Sequence, residues 1–92
     1  MTPNLTKHAR ARMQQRGIRA TALEALLDYG KVAHVVGGCE IVFFDKAARS
    51  RLVRHKPEVA RSVDTFFRAY AIVASDGRVV TVGTRLRHLR RQ

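Results

Sequence analysis

The 92 residues are enough for one domain, 1–92, able to bury roughly 60 to 65% of its unfolded surface, and 46% hydrophobic against 27% charged residues argues against a disordered chain. Eighteen Lys and Arg, 14 of them Arg, stand against seven Asp and Glu for a formal charge of +11, which favours polyanionic partners, above all phosphate, to which guanidinium forks are well matched. Cys39 as the only cysteine excludes an internal disulfide and a Cys-rich zinc site; with no signal-peptide pattern and no apolar run near the roughly 20 residues of a membrane span, the expectation is a cytoplasmic protein without a membrane partner.

The first predicted element is a helix. Thr6 can cap it, Leu5, Ala9 and Met13 recur at four-residue spacing on one face, and Gly17 can end it in a left-handed conformation. Arg10, Arg12 and Arg16 crowd its other faces, and Arg16 also complements the dipole of the last turn. Thr21 and Glu24 have the spacing of a capping box for a second helix, with Ala22, Ala25, Leu26 and Tyr29 as its apolar stripe, widened by Leu23 and Leu27, and Gly30 as its stop. Ile18 is placed to plug the corner between the two. Both helices are short and need a sheet to lie on.

Lys31–Val36 and Cys39–Phe44 read as two strands around Gly37-Gly38, a hairpin signal. Both faces of the second run are apolar, which predicts a strand that is central or covered on both sides. Ala47–Arg54 suits a helix through Ala48 and Leu52, with an edge strand over Arg49–Val53 as the competing reading, and Pro57 can open a further helical turn running to about Asp64. Ala69–Ser75 and Arg78–Thr84 form a second hairpin around Asp76-Gly77. With a two-residue turn, Ala71, Val73, Val80 and Val82 share an apolar face that receives the helices. Tyr70, Ile72, Thr81 and, one step on, Arg85 share the opposite face, beside Gly83, whose missing side chain leaves room for a ligand or a close backbone. Arg85, Arg87, Arg90 and Arg91 then load a basic tail at 86–92, of a kind that is mobile when free and ordered on a phosphate backbone.

No His, Cys or acidic spacing predicts a metal site, and neither a phosphate loop nor a dinucleotide fingerprint is present. What remains is a cofactor-free set of bases and cations, in which His8 and Arg12 are neighbours at four-residue spacing with Arg16 a turn further on.

The segments Leu5–Met13, Arg16-Gly17-Ile18 and Tyr29-Gly30, with Ala71-Ile72-Val73 and Asp76–Val82 at the other end, resemble a family of small bacterial proteins defined as a domain of unknown function, DUF4258. That family is in turn remotely similar to the RelE-type and colicin-type metal-independent ribonucleases. The resemblance implies an α+β fold, with two N-terminal helices packed on a curved antiparallel sheet of about four strands; the segment 47–67 matches little of it and is either an insertion or a substrate-adapting part. It also implies active positions at His8, Arg12 and Arg16 of the first helix and at Thr81 and Arg85 of the last strand.

The function so implied is a metal-independent endoribonuclease, in which a ribose 2′-OH attacks the adjacent phosphate. His8 would be base or acid, Arg12 with Arg85 the clamp on the nonbridging oxygens, Thr81 a donor to the phosphate, and Tyr70 a stacking surface or proton source. Arg10, Arg16, Tyr70, Arg78, Arg87, Arg90 and Arg91 would bind the nucleic acid. Two other classes stay open: a non-catalytic nucleic-acid-binding module, and a basic protein paired with an acidic antitoxin-like partner. The alternation that sends Thr81 away from the helices means that His8 can reach it only across an edge of the sheet or through the curvature of the sheet.

Overall fold

The computed structural model describes residues 4–35, 37–62 and 67–84. In chain order these form α1 (Lys7–Arg16), α2 (Ala20–Tyr29), β1 (Lys31–His34), β2 (Glu40–Phe43), α3 (Lys46–His55), α4 (Pro57–Ser62), β3 (Ala69–Val73) and β4 (Val79–Thr84). The strands make one antiparallel sheet in the order β1-β2-β3-β4, so the fold is α+β with the N-terminal helix pair packed on the sheet. β2 is internal, as its two apolar faces require.

α1 forms where its punctuation places it. The Thr6 hydroxyl accepts from the Ala9 amide at 3.1 Å, and Gly17 ends the helix at φ 67°, with its amide turned back to the Met13 and Gln14 carbonyls. The capping box expected of Thr21 and Glu24 does not form. α2 starts earlier, with Arg19 at the cap position and no side-chain capping bond. Only Gly17–Arg19 separate the two helices. Starting α2 at once lets the Leu23 amide donate to the Arg19 carbonyl at 3.1 Å and buries Ile18 in the corner, gains that offset a cap worth about 1 kcal/mol.

The middle of the chain supplies two helices. Asp45 caps α3 by accepting from the Ala48 amide at 2.8 Å, and Pro57 opens α4. The α-helix runs through Arg49–Val53 with Ala48 and Leu52 buried on one face, so the edge-strand reading of that segment is wrong. Val36, and Val63 and Asp64 at the expected end of the second helix, lie outside the described residues.

One core joins these elements. Val42, Ala69, Ala71, Val79 and Val82 of the sheet, with Phe44 just beyond β2, meet Ala9, Met13, Ile18, Ala22, Leu23, Ala25 and Leu26 from the first two helices and Ala48, Leu52 and Ala60 from the next two. Ala9, Ala48, Ala69 and Ala71 are wholly buried, so helices approach the sheet closely where the side chains between them are smallest.

The second hairpin differs from its predicted register at its tip. The Ala74 amide donates to the Arg78 carbonyl and the Gly77 amide to the Ala74 carbonyl, both at 2.9 Å, with Gly77 at φ 90°. The loop therefore has three residues, and Val73 faces Val79. A bulge then takes up Val80, and from Ile72↔Thr81 through Tyr70↔Gly83 the pairing is the predicted one. As a result Val79, not Val80, fills the core position beside Val82.

Candidate nucleic-acid interface

The bulge in β4 is also where α1 is fastened. The Val80 carbonyl accepts from the Thr6 hydroxyl at 3.1 Å, while the Thr6 amide donates to the Val79 carbonyl at 3.0 Å and the Val79 amide to the Asn4 carbonyl at 2.8 Å. A single bridge between Leu5 and Val79 thus runs along the outer edge of β4. Thr6 caps the helix and ties it to the strand with one hydroxyl. This tie fixes where the first-turn residues of α1, His8 among them, stand relative to the sheet.

With Ala9 and Met13 against the core, the remaining positions of α1 divide between two shoulders. His8 and Arg12 fall together on one, whereas Arg10, two residues from Arg12, lies about 160° away around the axis. Lys7, His8, Arg10 and Arg16 are exposed, as is Arg19 in the connection to α2. Arg12 is half-buried, and its Nε is buried with no hydrogen-bond acceptor among the described residues, an unmet donor. From 7 to 19 there are five Lys or Arg and no acidic residue, counting Lys7, Arg10, Arg12, Arg16 and Arg19. Among the described residues none of the five forms an ion pair.

Sequence reasoning missed a second cationic stretch. α3, α4 and the residue between them carry Lys46, Arg49, Arg51, Arg54, Lys56 and Arg61 against the single acid Glu58. Two of the arginines also hold the fold together. Arg49 lies 4.5 Å over the Phe67 ring, itself edge-on to Phe44, and Arg51 Nη2 donates to the Tyr29 carbonyl at the end of α2 at 3.1 Å. Lys46, Arg54, Lys56 and Arg61 are exposed. The signal for them was legible as charge, but only once this segment is known to be helical does it become a basic surface.

Thr81 stands on the other side of the sheet. The cross-strand rows Ala33–Ile41–Ile72–Thr81 and Lys31–Phe43–Tyr70–Gly83 alternate with the buried row through Val42, Ala71 and Val82, so they face away from the core and its helices. His8, on a helix packed against the inner side of β4, and Thr81, on its outer side, are therefore not brought onto a common face of the sheet. Neither outer row contains an imidazole or a carboxylate. The room foreseen at Gly83 is filled by Tyr70: a Cβ at Gly83 would come within 2.7 Å of the Tyr70 hydroxyl and 2.8 Å of its Cζ.

Arg78 is held locally. Its amide and its Nε both donate to the Asp76 carboxylate, at 3.0 and 2.9 Å, and the backbone bond is the first cause that lowers the Asp76 carboxyl below its ordinary value. This pairing spends part of the Arg78 fork on the turn. Arg85, Arg87, Arg90 and Arg91, with the tail at 86–92, lie outside the described residues.

Among the described residues no three His, Cys, Asp or Glu side chains come together, and no helix is long and apolar enough to cross a membrane. The family described as a domain of unknown function (DUF4258) matches residues 5–84. No curated protein and no solved structure matches the chain.

Proposed function

We propose that this chain, which belongs to the DUF4258 family, binds nucleic acid, with the exposed cations of α1 and its connection to α2 contacting backbone phosphates. The observation that carries this reading is the run of five Lys and Arg between residues 7 and 19 with no ion-pair partner among the described residues, four of them on a helix whose apolar stripe is fully used by the core. Cations without carboxylate partners repel one another at a cost to the fold, and a polyanion removes that cost by exchanging its condensed counterions for them. Guanidinium groups suit this role because each offers several fixed donors to phosphate oxygens.

Binding without cleavage is the form of the activity that this arrangement favours. Transesterification needs an acid–base group and an electrostatic clamp on one phosphate. His8 has Arg12 beside it, but Thr81 is across the sheet, and the outer rows supply no second proton-transfer imidazole or carboxylate.

The test is the triple substitution Arg10→Gln, Arg16→Gln and Arg19→Gln, all at exposed positions, followed by fluorescence anisotropy with a labelled RNA oligomer. Affinity should fall roughly tenfold or more, and the dependence of log Kd on log salt should flatten by about 2, in a variant whose circular dichroism shows the fold retained. Equal affinity in the variant would remove α1 from the interface. Incubation of the wild-type protein with mixed RNA in EDTA should leave the RNA intact. Fragments ending in 2′,3′-cyclic phosphate, lost in His8→Ala, would instead establish the ribonuclease.

A further inference from the structure

The outer face of the sheet has a use that phosphate binding leaves unassigned. Phe43, Tyr70 and Gly83 form one cross-strand row there and Ile41, Ile72 and Thr81 the next, all turned away from the helices that cover the other face. Tyr70 is the fixed point of this surface. Its ring lies across Gly83, where a Cβ would come within 2.7 to 3.0 Å of the hydroxyl, Cζ and Cε2 atoms, so any other residue at 83 would displace the ring. The glycine is a seat that lets an aromatic ring lie down on a strand, and the ring remains half-buried instead of entering the core.

The charges round this ring select the ligand. Lys31 ends the same row, with a largely exposed side chain that meets Asp45 only at 4.0 Å, and Arg68 is exposed two residues before Tyr70. An aromatic surface at a cationic end of a sheet suits a planar group attached to an anionic backbone.

We infer that Tyr70, seated on Gly83, stacks an unpaired base, and hence that the nucleic acid bound is single-stranded. This rests on the nucleic-acid reading above. A duplex keeps its bases stacked on one another and offers the ring no free π face, whereas a single strand can place a base on the ring and its phosphates on the neighbouring cations. Ile72 and Ile41 would extend the apolar floor under the sugar or a second base. Thr81, diagonal to Tyr70 on the same face, would offer its hydroxyl to a base edge or a 2′-OH.

With no Trp and only two Tyr in the chain, Tyr29→Phe leaves Tyr70 as the sole intrinsic fluorophore. In that background, oligo(U) RNA should quench the Tyr70 emission on binding. Tyr70→Leu should then weaken oligo(U) about tenfold, a typical value for one stacked base, while changing the affinity for an RNA duplex by less than twofold and leaving the salt slope unaltered. Tyr70→Phe should restore binding. Circular dichroism of Tyr70→Leu confirms that the sheet persists. Unquenched emission in a protein that binds oligo(U), or equal losses on single strand and duplex, would overturn the stacking role while leaving phosphate binding standing. Absence of any salt-dependent binding by the wild type would overturn both.

Discussion

Thr6 shows how much can depend on one hydroxyl. It accepts from the Ala9 amide to start α1 and donates to the Val80 carbonyl released by the β4 bulge, so helix capping and helix–sheet docking share one atom. Thr6→Val keeps shape and branching while removing both bonds. It should cost about 1–2 kcal/mol and lower Tm by roughly 4–16 °C, measured by calorimetry. An unchanged Tm would mean that water replaces both bonds without loss. The capping half of this was readable from Thr6 standing before an apolar four-residue repeat. The docking half was not, since nothing local announces a hydrogen bond spanning 74 residues. Gly83 was similarly legible only as a missing side chain. What fills the gap, the Tyr70 ring, follows from register and from a half-turned aromatic that no pattern specifies.

At the level of elements, spacing served best where one face is buried. α1, α2 and the two hairpins lie close to where the four-residue repeats, Gly17, Gly30, Gly37-Gly38 and Asp76-Gly77 put them. The capping box failed because tertiary demands outweighed a local motif: a three-residue connection and the burial of Ile18 set the start of α2. The turn of the second hairpin failed by one residue, and the bulge at Val80 corrected the register before it reached Tyr70 and Thr81. The middle of the chain was ambiguous since α3 buries only Ala48 and Leu52 along its length, too few positions to fix a period. Its role is nevertheless central. Leu52 is wholly buried, and Arg51 closes the end of α2. Leu52→Ala should therefore destabilise the whole domain by about 2–5 kcal/mol, with α2 and the sheet unfolding in the same transition as α3 in a urea melt followed by amide exchange. Loss of protection confined to 46–62 would show instead that this segment is an appendage to an independent core.

For the molecule as a whole, the decisive feature is where the excess charge goes. The acidic side chains with described cationic partners, Asp45 and Asp76, face Lys31 and Arg78, and Glu40 lies 3.7 Å from the His34 imidazole, which leaves the cations of α1 without carboxylate partners among the described residues. A net charge of +11 was visible in the composition, and attraction to polyanions followed from it. The division of labour was not visible: arginines that brace helices in α3, cations facing solvent on α1, and an aromatic face on the far side of the sheet. It places His8 and Thr81 on different sides of the sheet, which is the reason we propose binding rather than strand cleavage. The most direct measurement is the affinity of the wild-type protein for a single-stranded RNA oligomer across a salt series. Engagement of four to six phosphates predicts a log–log slope of roughly −3 to −4, since each phosphate neutralised on a single strand contributes about −0.7. A slope near zero, or no binding at low salt, would contradict the account.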